Sequence, residues 1–474
     1  MSHVWTLFVL FVHLAGIISA VRAVMDTRTP QGAVAWAAVL IMLPWVGVPA
    51  YWVLGRSKFE GYVLRRRRHY SSSDPVAREL FTKLRERSLL ADPGHEKVRL
   101  VEALAKLPFT SRNRPEMLLT ATAVFKSIFE GIAAAEKYVL VEFYILSEDK
   151  IGNQLKQHLL EAVRRGVRVH VIYDEVGSYG LPSAYVKELR DGGVEIFSFN
   201  ARRGMLGRWQ INFRNHRKIV VVDGKLGWVG GYNVSDDEFG GDPELGHWRD
   251  THVKLEGPVV PCIQLAFFED WLWATEKELS LCWEPVGAET DNPVNTLALL
   301  SGPADPMETC TLFFLHAIGI AKKRLWIASP YFVPDEQFFS ALKLASLRGV
   351  DVRVLVPEKP DHLLVHLSGW SAMTELTSAG IEFYRYCAGF MHQKVMIVDD
   401  EYCTIGTANF DNRSFRLNFE LTIAFADPEF TAQVISMMEK DFADSTLVET
   451  RELKSIPYLR RLTMRLARLT APIQ

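Results

Sequence analysis

Hydrophobic residues crowd the start of the chain before any periodic pattern sets in. Val4 to Val21 is almost wholly apolar apart from His13, and Gly32 to Leu54 is a second apolar run. Each is long enough to cross a hydrocarbon layer of about 30 Å as a helix. The pattern therefore predicts a two-helix transmembrane hairpin over residues 1–55, with helices near 4–21 and 32–54. A cleaved signal peptide is the alternative for the first run, but Met1, Ser2 and His3 carry no fixed positive charge. Arg22 and Arg28 lie between the runs, whereas Arg56, Lys58, Arg65, Arg66, Arg67 and Arg68 follow the second. By the positive-inside rule the rest of the chain faces the cytoplasm. The basic juxtamembrane segment, residues 56–107, is expected over anionic lipid head groups.

Beyond it the pattern changes and repeats. Gly131 to Glu175 aligns with Ile318 to Glu358, each reading helix, buried strand, helix, buried strand. The β-branched runs Val139 to Leu146, Val167 to Tyr173, Leu325 to Ser329 and Val350 to Val356 suit strands covered on both faces, and helical spacing lies between them. The match continues through Glu188 to Phe197 against Glu375 to Tyr384. The fold class is α/β, with one repeat over 108–282 and the other over 307–474. Trp283 to Pro306, rich in Pro, Gly, Asn and Asp, reads as the linker. Two such halves packed face to face bring equivalent positions together about a pseudo-twofold axis.

Composition narrows the classes. A chain of 474 residues, 48% hydrophobic, is too large for a small secreted scaffold, and a net charge of −2 gives no global attraction to nucleic acid. Cys262, Cys282, Cys310, Cys387 and Cys403 are scattered without metal-ligand spacing and read as buried reduced thiols. No phosphate-binding loop of the GxxxxGK[ST] type, no DGxxAR-type acidic motif and no metal-ligand cluster is present. The expectation is an enzyme without nucleotide, metal or other cofactor.

The candidate chemistry sits at one position of the repeat. His216-Arg217-Lys218 precedes Ile219 to Asp223, and His392-Gln393-Lys394 precedes Val395 to Asp399, so HxKx4D occurs twice. Asn233 and Asn409 each fall 17 residues after the His and three after a Gly, Gly230 and Gly406. In an extended segment side chains two apart share a face, so each His and its Lys point together. Two His, two Lys and two Asn in one cleft can bind one phosphodiester. The lysines neutralise its oxygens, the asparagines donate hydrogen bonds, one His attacks phosphorus and the other protonates the leaving alkoxide. A lone pair of this kind is usually a surface or core feature, and the duplication argues against that here. His13, His158, His170, His362 and His366 stand outside the pattern.

These paired motifs resemble the two HKD motifs of the phospholipase D superfamily. The resemblance implies that Asp250, in HWRDTHVKLEG, and Glu420, in NFELTIAF, orient the histidines through their second ring nitrogen. It also implies that His216 is the nucleophile and His392 the acid and base. Asp223 and Asp399 belong to the motif, with a structural part at the strand ends. The segment Ser329 to Glu336, Trp248 to His252 and the layout of apolar runs plus two motifs are similar to bacterial cardiolipin synthases. That family joins two phosphatidylglycerol molecules into cardiolipin and glycerol at the inner membrane. Runner-up readings are a phospholipase D or phosphatidyltransferase with another acceptor alcohol, a nuclease, or a silent membrane scaffold.

At the C-terminus Leu459, Leu462, Leu466 and Leu469 recur at helical spacing among Arg460, Arg461, Arg465 and Arg468. This reads as a basic amphipathic helix that lies on the membrane or packs on the catalytic domain.

Overall fold

The computed structural model describes residues 2–55, 75–91, 96–200, 212–240 and 242–474. Arg56, Lys58 and Arg65 to Arg68, expected to face lipid head groups, lie outside the described residues.

The first apolar run forms one helix, Ser2–Asp26, whose 25 residues reach about 37 Å and are apolar enough to cross a membrane. The second run corrects the expected hairpin, because it is not a single helix. It breaks between Pro30–Met42 and Pro44–Leu54. Pro44 has no N–H to continue the ladder, and Leu43 before it leaves the helical region at φ −134° and ψ 58°. At 13 and 11 residues each piece spans only about 20 Å or less. The second piece turns back. A Cβ on Gly47 would lie 2.8 Å from Val39 O, Trp36 packs on Tyr51 at 5.4 Å, and Trp52 Nε1 donates to Ser19 Oγ at 3.1 Å. Trp52 also lies under the Arg22 guanidinium, so the chain leaves Gly55 at the level of the end of the first helix.

Sixteen of the described strands form one sheet. Its seam is the antiparallel pairing of Thr110–Leu118 with Val294–Ser301, Thr110 opposite Thr296. Outward from the seam the first half runs His252–Glu256, Leu226–Gly230, Ile219–Val222, Tyr138–Phe143, Arg168–Tyr173 and Glu195–Ser198. The second half repeats that order with Asn418–Ala426, Tyr402–Gly406, Val395–Val398, Arg324–Ala328, Asp351–Pro357 and Glu382–Tyr386, and adds Ser445–Leu447 at its edge. The expected linker is thereby corrected: Val294–Ser301 within it is a central strand. Its Asn-Thr-Leu-Ala-Leu-Leu run supplies the apolar residues, while the turn formers stop at Pro293.

Alternation across the sheet fills two layers. In the first half Val139, Val141, Val169, Val171, Val220 and Val222 meet Val124, Phe125, Ile128, Leu155, Leu159 and Tyr185 of three crossover-side helices. Leu140, Ile172 and Val221 face the other way, with Ile263, Phe267 and Trp271 of helix Val260–Thr275. That helix is buried on nearly every side. Each of its large side chains contributes roughly 2–3 kcal/mol by leaving water. All five cysteines are free, and Cys262, Cys310 and Cys403 are buried. Cys387 is exposed, a departure from the expected buried thiols, because it follows the end of edge-side strand Glu382–Tyr386.

Candidate active site

Two short parallel pairings bring the halves together over the seam. Arg214–Asn215 runs beside the start of Asn418–Ala426, with Asn215 opposite Phe419, and Phe390–Met391 runs beside Trp248–Arg249, with Met391 opposite Arg249. The next residue on each motif strand is its histidine. His216 comes beside Glu420 and His392 beside Asp250, anchored by His216 N donating to Phe419 O at 2.9 Å and His392 N to Arg249 O at 2.8 Å.

Each histidine takes its carboxylate from the opposite half. His216 Nδ1 lies 3.1 and 3.0 Å from the two oxygens of Glu420, and His392 Nδ1 lies 2.7 Å from Asp250 Oδ2. With Nδ1 engaged, Nε2 is the nitrogen left for a substrate. Burial pulls both imidazoles below their ordinary pKa, His392 to about 4 with help from the Lys394 charge, while the carboxylates oppose the shift. Burial thus favours the neutral form of both rings. Burial would raise the two acids, yet Lys394 and His392 hold Asp250 low, and His216 and Lys218 hold Glu420 low.

The lysines lie in the same pocket. Lys218 Nζ donates to His216 O at 2.8 Å, and Lys394 Nζ donates to His392 O and lies 2.8 Å from His392 Nδ1 and 3.7 Å from Asp250 Oδ2. Burial drives Lys218 down to about 7, and the Lys394 charge adds to it while Glu420 opposes. Two desolvated amines side by side favour a neighbouring anion, whose charge would offset their burial. Asn233 Nδ2 donates to Glu238 Oε1 at 2.7 Å and its Oδ1 accepts from Ile145 N, whereas Asn409 N donates to Ser414 Oγ at 3.0 Å. Aromatic rings wall the cleft: Tyr144 sits 4.9 Å from His216, and Trp248 and Tyr331 sit 5.1 and 6.5 Å from His392.

The motif aspartates lie away from this cleft, at the strand ends. Asp223 lies at the far end of Ile219–Val222 and accepts from the backbone N–H of Glu136, Lys137 and Tyr138 at 2.8–2.9 Å. Asp399 does the same for Lys322, Lys323 and Arg324. Both sit at positive φ, 54° and 55°, where a short polar side chain tolerates the left-handed turn. They join the motif strand to the start of the neighbouring central strand.

The profile described as "Cardiolipin synthase, PLD-like domain" matches residues 128–253 and 314–442, one segment per half. The chain belongs to the cardiolipin synthase family. A second profile, "Phospholipase_D-nuclease N-terminal", matches residues 14–56. Cardiolipin synthase A of Pseudomonas putida is 45% identical over 98% of this chain and 96% of its own length. Cardiolipin synthase A of Pseudomonas fluorescens is 44% identical over 99% of this chain and 98% of its own. Among solved structures, phosphatidylserine synthase of Haemophilus influenzae shares the fold, with TM-score 0.60, 16% identity, and coverage of 80% of this chain and all of that one.

Several residues of this cardiolipin synthase site escape motif reading. Arg217, the middle residue of the first motif, donates to Asp270 Oδ2 at 2.5 Å and to Glu420 O at 3.2 Å. Its counterpart Gln393 donates to Asp441 Oδ2 at 2.8 Å and accepts from Thr251. Glu238 is buried five residues after Asn233, and burial lifts its carboxyl to about 8 against the two Asn233 hydrogen bonds. Tyr144 and Tyr331 occupy the same repeat position, the one sequence signal that could have marked them. Of the other histidines, His170 packs on Trp271, and His362 packs on Tyr331 at the rim of the cleft.

Proposed function

We propose that the enzyme transfers a phosphatidyl group between two phosphatidylglycerol molecules, giving cardiolipin and glycerol. The crossed pairing of His216 with Glu420 and His392 with Asp250 carries this reading. Two neutral imidazoles, each fixed at Nδ1, offer two free Nε2 atoms beside two buried ammonium groups. The lysines bind the phosphodiester anion, whose charge offsets their desolvation. His216 Nε2 attacks phosphorus, and the P–O bond to glycerol breaks as His392, which takes a proton from solvent at Nε2 when the anion binds, gives that proton to the leaving oxygen. The anion raises the low affinity of His392 for that proton. The second phosphatidylglycerol then yields its hydroxyl proton to His392 as its oxygen displaces His216 from phosphorus. One phosphodiester replaces another, so no nucleotide energy is consumed.

The same reading places the protein in the bacterial inner membrane, with the catalytic domain on the cytoplasmic side and anionic phospholipids as its partners. A crossing helix followed by a folded-back pair puts Arg22, Arg28 and the exit at Gly55 on one side, as the positive-inside rule requires. Purified protein given phosphatidylglycerol alone should release glycerol and cardiolipin in equal amounts. Given cardiolipin and excess glycerol it should regenerate phosphatidylglycerol, since the bond made resembles the bond broken. Phosphatidic acid as the main product of either incubation would make it a hydrolase instead.

A further inference from the structure

The C-terminal helix, Tyr458–Arg468, has two faces with different fates. Met464 and Ala467 are buried against the catalytic domain, Arg460 lies over Trp370 at 5.6 Å, and Arg468 bonds Glu375 and Glu336 at 3.0 Å each. On the opposite side of the helix, Leu459, Leu462 and Leu466, with Leu469 just past its end, point away from the protein at 74%, 42%, 55% and 75% exposure. A helix already docked by one face has no reason to carry four leucines on the other unless something apolar covers them. Arg461 and Arg465 are exposed beside this row.

Ion pairs show what lies nearby. Arg28, two residues past the end of the long apolar helix, bonds Glu308 at 3.5 Å and donates to Arg416 O. Arg416 bonds Glu308 and Asp335. Glu336, next in the chain to Asp335, bonds Arg468 of the C-terminal helix. A relay of ion pairs thus links the C-terminal helix to the residues where the long apolar helix ends. Leu363 and Leu364, at the start of the helix it packs against, add exposed apolar surface.

We propose that Tyr458–Arg468 is an interfacial helix that lies on the bilayer crossed by Ser2–Asp26, its leucine row among the upper acyl carbons and Arg461 and Arg465 at anionic lipid phosphates. This rests on Ser2–Asp26 crossing a membrane. A second copy of the chain is the poorer occupant, because it would bring the same arginines face to face, whereas an anionic bilayer supplies the opposite charge.

The test uses the full chain with Cys282→Ser and Cys387→Ser, reconstituted in vesicles of phosphatidylcholine and phosphatidylglycerol. A polarity-sensitive fluorophore is attached through Leu466→Cys, and in a second preparation through Leu10→Cys in the long helix. Lipids carrying nitroxides on the acyl chain should quench both labels at least twofold. Adding Leu459→Gln, Leu462→Gln and Leu469→Gln should remove the quenching at position 466 and leave it at position 10. Quenching at position 10 with none at 466 overturns the proposal while the crossing helix stands. Quenching at neither removes both, and disulfide cross-linking between copies through unlabelled Leu466→Cys replaces the bilayer by a dimer.

Discussion

The two halves of the catalytic unit are alike where a phosphodiester would be touched and unlike one layer behind. His, Lys, Asn and a wall tyrosine recur in both, and each His reaches across to an acid of the other half. Behind them the halves diverge. The first is braced by an ion pair, Arg217 with Asp270, beside Glu142, whose carboxyl burial and the Asp270 charge push well above the usual carboxylate range. The second is braced by Gln393 and Arg249, which share Asp441. Glu238 serves Asn233 where Ser414 serves Asn409. Similar groups around the two histidines thus stand on asymmetric support.

The strongest way to break this comparison is to remove one histidine at a time. His216→Ala and His392→Ala should each lower cardiolipin synthesis by about 10⁴ or more. With labelled phosphatidylglycerol, a covalent phosphoenzyme trapped by acid quench should be absent from His216→Ala and still detectable in His392→Ala. Label found in both would mean that either ring can attack.

Next come the crossed acids. Glu420→Gln and Asp250→Asn should each cost about 10³ in kcat with little change in KM, because each leaves its imidazole in place without the partner that fixes its tautomer. A silent substitution at either acid would end the claim of equivalence.

A pH profile sharpens the comparison further. Lys218 is cationic below about pH 7 and neutral above it in the empty site. Because His392, pulled to about 4, already imposes a tenfold fall per pH unit, kcat/KM, which reports the free enzyme, should steepen above about pH 7 toward a hundredfold per unit. Lys218→Arg keeps the charge and should lose that extra slope, even if its maximum rate is lower. A steepening near 7 that survives in the Arg variant would assign it to another group.

The smallest expected effect comes from making the halves alike. Glu238→Ser copies the second half into the first, leaves Asn233 Nδ2 without its carboxyl partner, and should raise KM roughly threefold to tenfold. A loss as large as that of a histidine would place Glu238 itself among the reacting groups.

Much of this was legible from the chain. The double motif and its trailing glycines and asparagines are local in sequence, and so are the buried strands around them. What stayed hidden depends on distance or on averaging. Contacts between residues 204 and 142 positions apart, as for His216 with Glu420 and His392 with Asp250, leave no trace in spacing. Helix Val260–Thr275 is buried all round, so it has no polar face to announce a period of 3.6. Strand Val294–Ser301 follows a cluster of turn formers that masked it. Pro44 was visible inside the second apolar run, but mean hydropathy does not register a missing N–H.

The crossing of the acids also bears on how such an enzyme is made. A first half leaving the ribosome carries His216 without Glu420 and Asp250 without His392. Neither fragment holds a finished nucleophile, although each holds one histidine and one lysine. The crossed site is therefore complete only once the two halves dock, and a chain that stalls, is cut, or docks badly is left without it.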